Sequence, residues 1–102
     1  MNTVIETNIF NAKAAKALTP KQYEDFVTYI AQNPQAGEVV PGSSGVRKIR
    51  WGKEGAGKRG GVRVVYFNST TTETWLLTLY TKNERESIPA HELKKIKEAI
   101  DG

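Results

Sequence analysis

Cysteine is absent from this 102-residue chain, and histidine occurs once, as His91. The lack of cysteine excludes disulfides, thiolate zinc sites and a cysteine nucleophile, and a single histidine cannot build a multi-histidine metal centre. We therefore expect no metal and no cofactor. No apolar run approaches the roughly 20 residues that cross a bilayer, and the N-terminus lacks the basic start and apolar segment of a signal peptide. The sequence thus predicts a cytoplasmic protein that does not bind a membrane.

The length and composition predict one folded domain over residues 1–102. A chain of 102 residues can build one hydrophobic core, and the 38% apolar content supports a globular fold. The net charge is +4 and the isoelectric point is near 9.4. A positive surplus of this kind favours an anionic partner, which can be RNA, DNA or an acidic protein segment.

The positive charge is concentrated between Gly45 and Tyr66. This stretch contains seven of the fifteen basic residues and one acid, Glu54. Its basic residues are Arg47, Lys48, Arg50, Lys53, Lys58, Arg59 and Arg63. Five glycines lie between two β-prone segments, VRKIRW and VRVVYF, and this pattern predicts a β-hairpin with a long cationic tip. The hairpin favours nucleic acid, because each neutralised phosphate releases counterions, although a solvated loop is the alternative.

The flanking sequence predicts an α+β fold in the order β-α-α-β-β-β, followed by a C-terminal helix. A strand over Thr3–Glu6 precedes a helix over Asn8–Ala17. The second helix begins with a capping-box signature and ends at Asn33. The signature consists of Thr19, Pro20 and Gln22. We expect the two helices to pair antiparallel and to pack on a small antiparallel sheet, with the first strand at its edge.

The sheet is predicted to be a three-stranded meander built on the basic hairpin. Its last strand, over Thr74–Lys82, follows the polar turn Asn68–Glu73. Strict alternation would place Trp75, Leu77 and Leu79 on one face and Leu76, Thr78, Tyr80 and Lys82 on the other. Residues 34–44 are predicted to form a loop anchored by Val39 and Val40. The C-terminal helix is predicted over Pro89–Ile100.

A candidate site for RNA chemistry follows from the same alternation. Lys48 and Arg50 should lie side by side on an open sheet face. The candidate catalytic residues on that face are Lys48, Arg50, Arg63, Tyr80 and Lys82. RNA supplies its own nucleophile, the 2′-hydroxyl, so an enzyme must help to remove that proton, stabilise the charged phosphoryl group and assist the leaving oxygen. Guanidinium groups suit the second task because they grip two phosphate oxygens. The residues expected to contact RNA outside the chemistry are Arg47, Lys53, Lys58 and Arg59.

Three ordered runs, GVRKIRW, GKRGGVRVVYF and LLTLYTKNE, resemble the RelE/HigB-like branch of the RelE/ParE superfamily of bacterial toxins. The resemblance spans roughly Val4 to Glu84. The three runs come after a predicted helical pair that ends in NP. It implies a RelE-like fold, metal-independent cleavage of mRNA in the ribosomal A site, and neutralisation by a cognate antitoxin, often a helix-turn-helix protein. By position, Lys48 and Arg50 match the family's basic pair, Arg63 matches the arginine before its apolar triplet, and Lys82 matches the lysine closing its last strand.

The chain also departs from the family pattern. No tyrosine follows Tyr80, whereas some members place a catalytic tyrosine in the C-terminal segment. Asn83 stands where an arginine often follows the lysine. Tyr80 is the candidate to replace the missing tyrosine.

Three alternative functions remain open at this point. The first is gyrase inhibition, as in the ParE branch, which shares the fold without cleaving RNA. The second is a double-stranded-RNA-binding domain, which has a helix-βββ-helix order but requires lysines at the start of its last helix. The third is a scaffold that only binds a partner and would tolerate loss of charge on the basic face.

Overall fold

The computed structural model describes residues 1–52 and 61–101, in which three helices pack on a five-stranded mixed sheet. The strands are β1 (Thr3–Glu6), β2 (Glu38–Val39), β3 (Arg47–Trp51), β4 (Val62–Thr70) and β5 (Glu73–Tyr80). The helices are α1 (Asn8–Ala17), α2 (Pro20–Gln32) and α3 (Ala90–Asp101). The α+β class is therefore confirmed. Within the described ranges, no helix combines the length and apolarity of a membrane span.

The strand order is β1-β5-β4-β3-β2. The predicted meander of β3, β4 and β5 is confirmed, as is the edge position of β1. The expectation of an all-antiparallel sheet was wrong, because β1 runs parallel to β5, with Thr3 opposite Glu73. Two helices separate β1 from the meander, so no tight turn fixes its direction. Backbone hydrogen bonds from Thr3 to Thr72 and from Thr7 to Leu76 hold it in the parallel register.

The short edge strand β2 lies in the segment expected to be a loop. Glu38 pairs with Lys48 and Val39 pairs with Arg47. The prediction that Val39 anchors this segment was wrong, since its side chain is 48% exposed. Val40 is half-buried and packs against the core instead.

Local capping signals define the two N-terminal helices as predicted. The Thr19 hydroxyl accepts a hydrogen bond from the Gln22 amide at 3.2 Å, and the Gln22 side chain accepts one from the Thr19 amide at 2.8 Å. Thr7 caps α1 by accepting from the amide of Phe10 at 3.0 Å. Phe10 and Phe26 are both fully buried in one core, so both helices cover the same face of the sheet.

A second core covers the opposite face of the sheet. It contains Val46, Val65, Phe67, Leu77, Tyr80 and Leu93, the last of which comes from α3. The sheet is thus buried on both sides, and its two faces are shared between the α1–α2 pair and α3.

A β-bulge in β5 overturns the strict alternation expected for this strand. Val65 pairs with Thr78 but Tyr66 pairs with Leu76, so Leu77 is an extra residue in the ladder. As a result, Leu76 and Leu79 join the core under α1 and α2, while Leu77 and Tyr80 join the core under α3. The bulge therefore keeps large side chains on both faces of one strand.

The buried Tyr66 fixes the loop that leads from α2 into the sheet. Its hydroxyl donates to the carbonyl of Pro34 at 2.9 Å and accepts from the amide of Gly37 at 2.8 Å. A Cβ on Gly37 would lie 2.8 Å from the Tyr66 ring, so only glycine fits here. This contact sets the position of the carbonyls that Arg47 binds.

Candidate functional site

The strand register brings three of the predicted site residues into one row across the sheet. Arg50 of β3 lies directly opposite Arg63 of β4, and Arg63 lies directly opposite Tyr80 of β5. Residues in such positions have Cβ atoms about 5 Å apart. Lys48 shares the face of Arg50 and stands one step away, opposite Val65. The sheet therefore assembles Lys48, Arg50, Arg63 and Tyr80 as a cluster, which we call the cationic row.

Two polar atoms of the cationic row are buried and lack a hydrogen bond. They are Nη1 of Arg63 and the hydroxyl of Tyr80, and neither has a partner within residues 1–52 and 61–101. Each unsatisfied buried group costs about 1–3 kcal/mol. The two unpaired donors are adjacent and lie beside a second arginine, Arg50. An anion with several oxygens could accept hydrogen bonds from both donors at once.

The Tyr80 hydroxyl is a hydrogen-bond donor at neutral pH. Burial raises the pKa of Tyr80, and the positive charges of Arg63 and Arg85 lower it by smaller amounts. The hydroxyl therefore keeps its proton. The side chain is 2% exposed and packs in the α3 core, so the ring is not accessible for stacking on a base. Of the roles open to Tyr80 from the sequence, orienting the substrate fits this environment best.

The face expected to be open is partly covered by α3. Leu93 is fully buried against the same core as Tyr80, and Ile96 and Ile88 pack beside it. Exposure therefore falls along the row, from the exposed Arg50 through the half-buried Arg63 to the buried Tyr80. The exposed end of the row is therefore Arg50 on β3, whereas Nη1 of Arg63 and the Tyr80 hydroxyl are buried.

Arg85 is a charged residue near Tyr80 that sequence reasoning missed. It lies in the loop between β5 and α3, where its Nε donates to the carbonyl of Ser87 at 3.1 Å and its Nη2 lies 3.3 Å from the Glu92 carboxylate. Its positive charge partly offsets the increase in the pKa of Tyr80 that burial causes. No periodicity marks a residue in an irregular loop, so only the location of the loop after the last strand could have suggested it.

Lys82 lies outside the row. The strand was expected to extend to Lys82, but β5 ends at Tyr80 and Lys82 is exposed in the following turn. That turn is closed by Glu84, whose carboxylate accepts from the amide of Thr81 at 3.2 Å. This hydrogen bond, with a smaller contribution from Lys13, lowers the pKa of Glu84. A catalytic role for Lys82 stays a prediction.

The guanidinium of Arg47 is engaged by two backbone carbonyls of the loop before β2. Nη1 donates to the carbonyl of Gly37 at 2.6 Å and to that of Gln35 at 3.3 Å. Alternation along β3 places Arg47 on the face of Ile49 and Trp51, opposite to Lys48 and Arg50. This geometry favours a structural role over the predicted RNA contact. The other three predicted contacts, Lys53, Lys58 and Arg59, lie outside the described residues.

No protein-family model matches this chain. The resemblance to the RelE/HigB-like toxins therefore rests on the three sequence runs alone. In the part of the chain that the structure describes, no group of three or more histidine, cysteine, aspartate and glutamate side chains is arranged to hold a metal ion. The chemistry available at the row is that of guanidinium, ammonium and phenol groups.

Two buried tyrosines on neighbouring strands provide a matched test of the unsatisfied hydroxyl. Tyr80→Phe should raise the free energy of unfolding by about 1 kcal/mol, because it removes a buried donor that has no partner among the described residues. Tyr66→Phe should lower it by about 1–3 kcal/mol, because it leaves Pro34 and Gly37 without their hydrogen bonds. Urea unfolding of both variants measures the difference. Destabilisation by Tyr80→Phe equal to that by Tyr66→Phe would show that the Tyr80 hydroxyl stabilises the fold.

Proposed function

We propose that this protein is the toxin of a type II toxin-antitoxin system, a ribosome-dependent mRNA endonuclease of the RelE/HigB type. The observation that carries the proposal is the cationic row, in which Arg50, Arg63 and Tyr80 are neighbours and two buried donors have no partner in the part of the chain that the structure describes. A phosphodiester has the charge and the multiple oxygens that such a site would bind. The resemblance of the three sequence runs supports the same assignment.

In the proposed mechanism, the RNA 2′-hydroxyl attacks the adjacent phosphorus and the 5′-oxygen of the next nucleotide leaves. Arg63 and Tyr80 donate hydrogen bonds to the non-bridging oxygens, whose negative charge grows in the transition state. Arg50 adds a second positive charge from the neighbouring strand. The 2′ proton passes to the amine of Lys48, on the same face, and the departing 5′-oxygen takes a proton from water, which leaves a 2′,3′-cyclic phosphate on the upstream fragment.

The ribosome is proposed to supply the orientation that this small surface lacks. A row of side chains on a flat sheet binds one phosphate but offers little to align the 2′-hydroxyl with the leaving oxygen. Alignment of reacting groups contributes a large part of the catalysis in such reactions. Messenger RNA held in the ribosomal A site would already be oriented, so cleavage should depend on ribosomes.

The proposed partner in the resting state is a cognate antitoxin of the helix-turn-helix class that the resemblance implies. An acidic or apolar segment of that protein would cover the row or its approach from β3. The acidic segment would satisfy the same donors as a phosphate, so antitoxin and RNA would compete for one surface.

Primer extension on a defined mRNA in a purified translation system tests the proposal. We expect cuts at discrete codons when ribosomes and the protein are both present, and none when ribosomes are omitted. Absence of cuts with a folded protein would reject the nuclease. A DNA supercoiling assay with gyrase would then examine the ParE-like alternative.

A further inference from the structure

The last turn of α2 presents an aromatic ring in a cleft lined by side-chain amides. Tyr29 is 38% exposed and contributes to a cleft of about 490 Å³. The other lining residues are Gln32, Asn33, Pro34, Gln35 and Ala36. A ring face combined with amide donors and acceptors matches the requirements of a nucleobase, which stacks through its plane and hydrogen-bonds through its edge.

The Tyr29 ring has a rigid support. It contacts the ring of Trp51 with centroids 5.2 Å apart at an interplanar angle of 39°. Trp51 in turn packs edge-on against Phe26, which is fully buried, with centroids 5.2 Å apart. The helix end below the ring is also fixed, because both the amide and the side chain of Asn33 donate to the Tyr29 carbonyl at 2.9 Å. The ring is therefore held in place before any ligand binds.

The cleft and the cationic row lie on either side of the same strand. Arg50 and Trp51 are consecutive on β3, so their side chains point to opposite faces of the sheet. Within residues 1–52 and 61–101, the pairing of the edge strand β2 with β3 is at Arg47 and Lys48. An RNA bound at both places must therefore pass around the edge of β3, so the subsite requires an extended strand of several nucleotides.

We propose that Tyr29 and its cleft form a stacking subsite for one unpaired nucleobase of RNA bound at the cationic row. The proposal rests on the proposed function, because it takes the row as the phosphate site. The row recognises the backbone and carries no information about bases, whereas the subsite contacts a base and requires it to be unstacked. The subsite thus gives the protein a preference for single-stranded RNA.

Binding of two non-cleavable oligonucleotides tests this subsite. The first is a labelled 2′-O-methyl hexanucleotide, and the second has the same backbone without bases; fluorescence anisotropy measures both affinities. Tyr29→Leu should weaken binding of the first about 5- to 100-fold, the range for loss of one base-stacking contact, and leave binding of the second unchanged. Tyr29→Phe, which retains the ring, should bind both like the wild type. Leucine preserves apolar packing on Trp51, so the fold should be unaffected.

Two further variants separate the subsite from the phosphate site. Ile9→Ala removes another exposed apolar side chain, which is 60% exposed on α1, and should change neither affinity. Arg63→Met should weaken both oligonucleotides by similar factors, since Arg63 reads the backbone. Wild-type binding of the base-containing oligonucleotide by Tyr29→Leu would overturn the subsite, as would equal loss of both affinities. If Tyr29→Leu gives the expected loss but Arg63→Met does not weaken binding, the assignment of the row as the phosphate site is rejected and the stacking subsite is retained.

Discussion

Replacing Arg63 with methionine should lower ribosome-dependent mRNA cleavage by about 10²–10³-fold, the loss typical of removing one donor to a developing oxyanion. The protein should remain at least as stable as the wild type. Methionine keeps the apolar stem in place between Arg50 and Tyr80, while it removes a buried Nη1 that has no partner among the described residues. Cleavage rates and urea unfolding, measured on the same preparation, give both quantities.

Arg47→Met is the matched control, because Arg47 is also a half-buried arginine in the sheet. Its guanidinium donates to the carbonyls of Gly37 and Gln35, so its loss should lower the free energy of unfolding by about 1–3 kcal/mol. Cleavage by the folded fraction should be unchanged. Wild-type cleavage by Arg63→Met, or loss of cleavage in a stable Arg47→Met protein, would contradict this assignment. Either result would indicate that the site lies on the other face of the sheet.

Replacing Phe26 with alanine should lower the free energy of unfolding by about 3–5 kcal/mol. Phe26 is fully buried, and its ring joins α2 to Trp51 of β3. A loss of this size is a large fraction of the roughly 5–15 kcal/mol that stabilises a typical domain. Because β3 carries Arg50 and Lys48, the damage should extend to the cationic row and cleavage should fall with the folded fraction.

Thr28→Ala, at an exposed position of the same helix, provides the comparison for Phe26→Ala. It should change the free energy of unfolding by no more than about 0.5 kcal/mol. Urea unfolding followed by far-UV circular dichroism compares the two variants. If Phe26→Ala lowers the free energy of unfolding by less than about 1 kcal/mol, the packing of Phe26 between α2 and β3 does not stabilise the core as its burial indicates.

The elements with local signals could be predicted from the sequence almost to the residue. The first strand and helix have the expected bounds, Thr3–Glu6 and Asn8–Ala17, and α2 begins at Pro20 as its capping box predicts. Caps and helical periodicity depend on residues within one or two turns of each other. A single sequence contains that information directly.

The features that depend on distant pairing could not be predicted. The parallel direction of β1 depends on hydrogen bonds to Thr72 and Leu76, about 70 residues along the chain. The bulge at Leu77 comes from the mismatch between β4 and β5, so strict alternation placed Leu79 and Tyr80 on the wrong faces relative to Leu77. Neither feature leaves a mark in a short window of sequence.

The candidate site could be predicted only in part, because some of its residues are placed by local patterns and others by distant contacts. Alternation and the hairpin pattern were enough to predict Lys48, Arg50, Arg63 and Tyr80 on one face. The register adds that Arg50, Arg63 and Tyr80 are direct cross-strand neighbours. The burial of Tyr80 under α3 and the proximity of Arg85 depend on how the C-terminal segment folds back over the sheet. That segment has an amphipathic pattern, but a pattern does not specify which face of the sheet it covers.

The structure of the protein bound to a short 2′-O-methyl RNA, determined by crystallography, tests the central claim most directly. We expect one phosphate with its non-bridging oxygens within hydrogen-bond distance of Arg63 Nη1 and the Tyr80 hydroxyl, and with Arg50 beside it. A phosphate backbone that instead follows the lysines of α3, with Arg63 and Tyr80 still unsatisfied, would contradict the assignment of the cationic row as the site of RNA chemistry.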